Sequence, residues 1–301
     1  MGKIAFVFSG QGAQYSGMGK ALYASSPAAK AVFDMADSLR PGTARQCFEG
    51  SMEELTQTVN TQPCVFAVDL AAARALAERG IQPDCVAGFS LGEIAALAFA
   101  GVLSDEEAFR LVCKRGELMD KAARENPGAM VAVLKLTSAQ TEELCQRFEK
   151  TYPVNYNSPA QTVVATTTEN ADAFCQAVKA AGGKAKVLPV SGAFHSPFMA
   201  DAAAGLAEYM QSVTFNEPKI TIYSDYTAQP YAGDCRELVR AQVENPVRWQ
   251  TLMENMQAAG VDTVIETGVG KTLQNLCKRT FSDIKSYKAE TPEDFEMILN
   301  S

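Results

Sequence analysis

Gly88-Phe89-Ser90-Leu91-Gly92 has the spacing of a serine raised on a sharp turn. The residues before it, Asp84-Cys85-Val86-Ala87, read as a short buried strand. Those after it, Glu93-Ile94-Ala95-Ala96-Leu97, read as a buried helix. A G-x-S-x-G nucleophile elbow requires that strand–turn–helix context. A serine at the tip of such a turn holds a strained backbone. Side chains two residues to either side would collide, so glycine flanks it. The following helix aims its N-terminal amides at whatever the serine attacks. The plainer reading is a Gly-Ser turn in an ordinary α/β protein.

A serine hydroxyl is a poor nucleophile at its own pKa and needs a base, most often histidine. The chain has one histidine, His195. It lies in Gly192-Ala193-Phe194-His195-Ser196-Pro197, a loop pattern, and loops commonly carry binding and catalytic groups. A lone histidine is more often packed or on the surface, but here it is the sole candidate. Hydrolases of the α/β class place an acid and then the histidine late in the chain. His195 is mid-chain, which predicts a Ser–His pair oriented by something other than an obvious aspartate.

The elements that must position this pair follow from composition and pattern. The chain has 301 residues, 47% of them apolar, enough for a large core. Its net charge of −8, with no Lys/Arg run, argues against nucleic acid as a partner. Eight cysteines are scattered without C-x-x-C, which leaves a Cys/His zinc site little to work with and fits a reduced cytosol. The start has no signal-peptide pattern, and the longest apolar run is too short to cross a bilayer, so a soluble, cytoplasmic protein is expected.

Residues 3–9 read as a buried parallel strand running into Gly10-Gln11-Gly12-Ala13-Gln14. A dinucleotide fingerprint would need glycine where Tyr15 stands. Ser51 with Glu54, Ser104 with Glu107, Thr137 with Gln140 and Asp234 with Glu237 have capping-box spacing. Thr61 with Pro63 reads as the start of a helix that stops at Gly80. From about Glu125 the rhythm changes. Strands are predicted over 129–136, 154–157, 161–166 and 184–190, with helices from Thr137 to about Lys150 and from Asn170 to Gly182-Gly183. That order is βαββαβ, the ferredoxin-like arrangement. The expected organisation is a large α/β domain (1–124 and 191–301) with a parallel sheet, interrupted by a small subdomain (125–190). Strands are predicted again over 219–223 and 262–266. Gly268-Val269-Gly270-Lys271-Thr272 resembles the end of a P-loop, but Ile265 stands where its first glycine belongs.

Taken together, the motifs resemble the acyltransferase family of fatty-acid and polyketide synthesis, the malonyl-CoA:acyl carrier protein transacylases above all. The likeness runs through Gly10-Gln11-Gly12-Ala13-Gln14, Gly88 to Glu93, Arg115-Gly116-Glu117-Leu118-Met119, Asn155-Tyr156-Asn157-Ser158-Pro159, Ala193-Phe194-His195-Ser196, Asn245-Pro246-Val247-Arg248-Trp249 and Glu266-Thr267-Gly268-Val269-Gly270. It covers nearly the whole chain and implies an α/β-hydrolase-like large domain with the ferredoxin-like insert.

The resemblance also implies roles. Ser90 attacks a malonyl thioester and His195 is the general base. The amides of Gln11 and Leu91 form the oxyanion hole, and the Gln242 carbonyl holds the histidine. Arg115 grips the malonyl carboxylate, since a guanidinium fork matches a carboxylate. Met119, Asn157 and Phe194 line the substrate site, Phe194 crowding an α-methyl branch. No metal or cofactor is implied; malonyl-CoA is a substrate and acyl carrier protein the partner. Lys184, Lys186 and Arg279 are candidates for a basic docking patch, none singled out. The family usually has histidine where Phe89 stands, which is expected to remove a hydrogen-bond donor beside the carboxylate. A serine thioesterase using Ser90 and His195 is the competing reading, and a silent carrier-binding module a third. Arg115 argues against the thioesterase, since a general hydrolase has no need of a carboxylate clamp.

Overall fold

A computed structural model describes residues 2–190 and 192–300. Its nine strands, in chain order, are β1 (Lys3–Phe8), β2 (Cys85–Gly88), β3 (Ala129–Leu134), β4 (Tyr152–Ser158), β5 (Gln161–Thr166), β6 (Lys184–Val187), β7 (Thr221–Tyr223), β8 (Val261–Thr267) and β9 (Lys285–Ala289). They form two sheets. The first is parallel throughout, in the order β7-β2-β1-β8-β9. The second is antiparallel throughout, in the order β4-β5-β3-β6.

β1 is apolar at nearly every position because both faces of the parallel sheet are covered. Phe6 and Phe8 point into one core and Ala5 and Val7 into the other. The larger core includes the helix Thr58–Glu78, buried almost all round, and the helix Gly92–Phe99, buried at every residue. The smaller core packs Trp249, Leu252, Met253 and Met256 against the opposite face.

From β1 the chain moves outward to β2 and β7, then returns on the other side of β1 as β8 and β9. Ligand sites in such sheets lie at the carboxyl ends of the strands, where the order reverses. Here the loops after β1 and β8 meet: a Cβ on Gly270 would lie 3.5 Å from that of Ala13. Ser9 Oγ donates to the Val269 carbonyl at 2.9 Å.

The second sheet is bound to the rest of the molecule by its edge. The amide of Tyr156 donates to the Val247 carbonyl, and the amide of Val247 to that of Val154, both at 2.9 Å. The partner strand for β4 on that side is thus one residue of the Asn245–Trp249 motif.

Element types agree with the sequence pattern and several limits move. The helix expected from Thr61 begins at Thr58, and Pro63 lies inside it. Thr61 is not a cap: its hydroxyl donates to the carbonyls of Leu55 and Gln57. The helix after Thr137 ends at Cys145 rather than near Lys150, although the Thr137–Gln140 capping box forms. Asp234 caps through the Arg236 amide, while Glu237 turns outward to Arg240. The strands expected over 184–190 and 219–223 shorten to Lys184–Val187 and Thr221–Tyr223. The expected domain junction at 190/191 adjoins Ser191, which lies outside the described residues.

Gly92 shows why the elbow demands glycine. A Cβ there would stand 2.3 Å from the Phe8 carbonyl oxygen and 2.5 Å from that of Ser9. Both are backbone atoms of the central strand's end and cannot step aside. Gly92→Ala is therefore expected to cost about 1–3 kcal/mol of stability. Urea denaturation checks it, and an unchanged midpoint would mean that the elbow is not wedged against β1.

Candidate active site

β2 ends at Gly88, and two residues later the backbone turns left-handed at Ser90, φ 55°. Non-glycine residues avoid that region, and the strain persists only where surrounding structure over-determines it. His195 is held the same way, at φ 60°. The two meet: Ser90 Oγ lies 2.7 Å from His195 Nε2. His195 Nδ1 lies 2.8 Å from the Gln242 carbonyl oxygen, with a further backbone contact at Asn245. A carbonyl can only accept, so Nδ1 carries the proton and Nε2 is free to accept from the serine. The tautomer needed by a general base is set without a carboxylate.

The imidazole is 3% exposed. Burial, and then the facing Arg115 cation, push its pKa down to about 4. It is neutral near pH 7 and accepts a proton once negative charge is close by.

Arg115 projects from the helix Asp105–Glu125 and is completely buried. Its Nη1 donates to Gln62 Oε1 at 2.9 Å. Its Nη2 donates to Gln242 Oε1 at 2.8 Å and to Ser90 Oγ at 3.2 Å. Among the described residues its Nε has no acceptor and no carboxylate lies within salt-bridge distance. Burial lowers its pKa to about 10, which still leaves it charged at neutral pH. A buried cation supported by neutral amides and aimed at a nucleophile is a site for an anionic group.

Of the residues expected at the site, Ser90, His195, Gln242 and Arg115 are joined by direct hydrogen bonds. Met119 stands one step behind, its sulfur 3.4 Å from Gln62 Nε2. Gln11 is brought near through Gly10, whose Cβ would lie 2.9 Å from the Phe89 carbonyl. Neither the Gln11 nor the Leu91 amide donates to a backbone or side-chain acceptor among the described residues. Asn157 is buried with an unpaired Oδ1 and Phe194 packs into the larger core, neither bonded to the cluster.

Phe89 is half-buried. Its ring packs on Trp249, centroids 5.4 Å apart, and against the smaller core. Arg279, a docking candidate, is tied to Gln161 at 2.8 Å.

Sequence reasoning missed Gln62 and Asp225. Gln62 and Asp69 are the polar interruptions in the buried stretch of the helix Thr58–Glu78, a signal that was available. Asp225 had none. It reaches Ser90 only because β7 pairs with β2, with Ala87 opposite Tyr223. Among the described residues no group of His, Cys, Asp and Glu could hold a metal, and no helix is long and apolar enough to cross a membrane.

The comparisons agree on one family. A model described as acyl transferase domain matches residues 5–292. The chain is 37% identical to a malonyl CoA-acyl carrier protein transacylase of Bacillus subtilis (strain 168), over 100% of this chain and 98% of that protein. The crystal structure of MCAT from Streptococcus pneumoniae superposes with TM-score 0.93 at 36% identity, covering 99% of each chain. A malonyl-transacylase solved in complex with a type II PKS acyl-carrier protein superposes with TM-score 0.95 at 32% identity, also over 99% of each.

The state of His195 is open to measurement. Protonation removes the acceptor for Ser90, so reaction of Ser90 with a fluorophosphonate should slow as pH falls. The limb should show an apparent pKa near 4 rather than 6.5. Circular dichroism at each pH checks that the fold persists. A limb at 6.5 would mean a solvated imidazole.

Proposed function

The chain belongs to the acyl transferase domain family, and on that premise we propose that it transfers malonyl from malonyl-CoA to the phosphopantetheine thiol of acyl carrier protein, in fatty-acid biosynthesis. The observation that carries the reading is Arg115, a buried guanidinium without a carboxylate partner, 3.2 Å from the nucleophile's oxygen. A thioester hydrolase for neutral acyl groups gains nothing from it. An acyl group ending in a carboxylate supplies the missing anion. The relative solved with an acyl-carrier protein supports the choice of acceptor.

The mechanism follows from the hydrogen bonds. Ser90 Oγ attacks the thioester carbonyl as His195 Nε2 takes its proton, and the Gln242 carbonyl stabilises the imidazolium through Nδ1. The oxyanion is bound by the amides of Gln11 and Leu91, and losing one such donor typically costs about a hundred- to a thousandfold in rate. The intermediate collapses, the coenzyme A thiolate leaves with the proton from His195, and malonyl remains on Ser90. The carrier's thiol then enters, gives its proton to His195 and attacks the malonyl ester; Ser90 leaves, recovering the proton. Arg115 keeps the malonyl carboxylate in place through both halves. Its bond to Ser90 Oγ is released once that oxygen is acylated. We assign Met119, Asn157 and Phe194 to the walls of the acyl pocket. Phe194 disfavours an α-methyl branch, a discrimination of roughly 1–3 kcal/mol for one methyl.

The fold is read in the same terms. Residues 1–124 and 191–301 form an α/β-hydrolase-like domain, and 125–190 a ferredoxin-like subdomain, supported by the β4-β5-β3-β6 order. We place the reaction in the cytoplasm, where the eight free cysteines would stay reduced.

Intact-protein mass after mixing with malonyl-CoA tests the reading. A malonyl adduct is expected on the wild type, absent from Ser90→Ala, and lost on adding acyl carrier protein. Accumulating malonate and coenzyme A without an adduct would establish a hydrolase instead. Arg115→Ala should lower kcat/KM for malonyl-CoA by roughly thirty- to several-thousandfold, the equivalent of about 2–5 kcal/mol. Relative activity on acetyl-CoA should rise. Unchanged malonyl preference would remove Arg115 from this role.

A further inference from the structure

Beneath the elbow lies a group of buried acids that the reaction does not consume. Asp225 and Glu93 are both fully buried. Asp225 follows β7 in a turn fixed by the Ser224 hydroxyl, which accepts from the amides of Tyr226 and Thr227. The Arg248 amide donates to the Asp225 carbonyl at 2.6 Å. From this rigid seat Asp225 Oδ2 accepts the Ser90 amide at 2.6 Å. That amide belongs to the residue held at φ 55°.

Glu93 comes from the first turn of the elbow helix. Its Oε2 accepts the Asp225 amide at 2.7 Å, and its Oε1 accepts the Tyr231 hydroxyl. The two carboxyl groups are thus neighbours in a dry interior, Glu93 reaching Asp225 through the Asp225 amide. Two neighbouring carboxyl groups in a dry interior cannot both be ionised, so the pair holds a proton. Donor counting says which one carries it. Glu93 is surrounded by donors on both oxygens. Asp225 has one, the Ser90 amide, and its Oδ1 receives none among the described residues.

We propose that Asp225 is a positioning residue for Ser90: as the neutral, protonated member of a one-proton pair with Glu93, it holds the Ser90 amide and with it the strained elbow. Burial and the neighbouring Glu93 both push the Asp225 carboxyl far above the usual range, in keeping with this state. Arg115 from the neighbouring helix opposes that trend without contacting either acid. The other ionisable group facing the pair is Tyr231. One shared negative charge therefore lies near the buried Arg115 without pairing with it. A second would oppose both an incoming carboxylate and the oxyanion. Asparagine can reproduce the neutral acid, its Oδ1 accepting from Ser90 and its Nδ2 uncharged beside Glu93.

The inference rests on Ser90 as the acylated residue, and the test separates the two. In protein labelled with 13C at the aspartate carboxyl, the Asp225 resonance, identified by its absence in Asp225→Asn, is expected at the protonated-acid position at pH 7. An ionised position overturns the proposal whatever the activity. In malonyl-Ser90 formation from malonyl-CoA, Asp225→Asn should stay within about threefold of wild type. Asp225→Leu should lose roughly a hundredfold in kcat with little change in KM. Retained kcat in Asp225→Leu, or an equal loss in Asp225→Asn, also overturns it. If Asp225→Leu fails to fold, the resonance and Asp225→Asn still decide. Absence of any adduct on the wild type would instead defeat the proposed function and leave the resonance to be read independently.

Discussion

The constraint on which the rest of the molecule depends is the left-handed backbone at Ser90. A serine does not hold that conformation by preference. Here it is trapped. Gly88 lacks a side chain because a Cβ would lie 2.0 Å from the Glu93 amide nitrogen, and Gly92 because the end of β1 lies against it. The Ser90 amide is fixed by Asp225 and its carbonyl by the Gln242 side chain at 2.9 Å. With both backbone groups held, the hydroxyl has few directions left, and His195 occupies one of them.

Electrostatics gives the site its character. Arg115 is a full charge in a dry interior, supported by the amide oxygens of Gln62 and Gln242 rather than by an ion pair. Neutral partners orient the fork without neutralising it, so its field remains available to a ligand. Burial, and then the same field, keep His195 neutral. Gln242 joins the parts: its backbone carbonyl orients the imidazole and its side chain bridges Arg115 and the elbow. One residue thus couples the base, the cation and the nucleophile.

Strand order explains how distant pieces of chain meet. β2 carries the serine at its end, with β7 on one side bringing Asp225 and β1 on the other bringing the Gly10 loop. The antiparallel sheet is not a loose appendage, because its β4 edge is closed by Val247. That contact ties the strand bearing Asn157 to the segment that follows Gln242 and His195's other backbone partner, Asn245.

The sequence by itself determined the elements and the chemistry that glycine spacing and residue scarcity can carry. G-x-S-x-G can be read because steric exclusion leaves a local pattern, and His195 because no other histidine exists. The βαββαβ order was legible from alternation and capping boxes, which are local too. Helix limits were less so: buried packing begins the helix Thr58–Glu78 ahead of Pro63, overriding the local start signal at Thr61. Only the tertiary structure decided which polar groups serve the site. Gln62, Asp225 and Tyr231 lie 28, 135 and 141 residues from Ser90 and carry no motif of their own. It likewise set the Phe89 ring against Trp249. Hydrogen bonds and burial in a folded interior depend on which strands are neighbours, and pairing between parallel strands leaves no short-range trace in the chain.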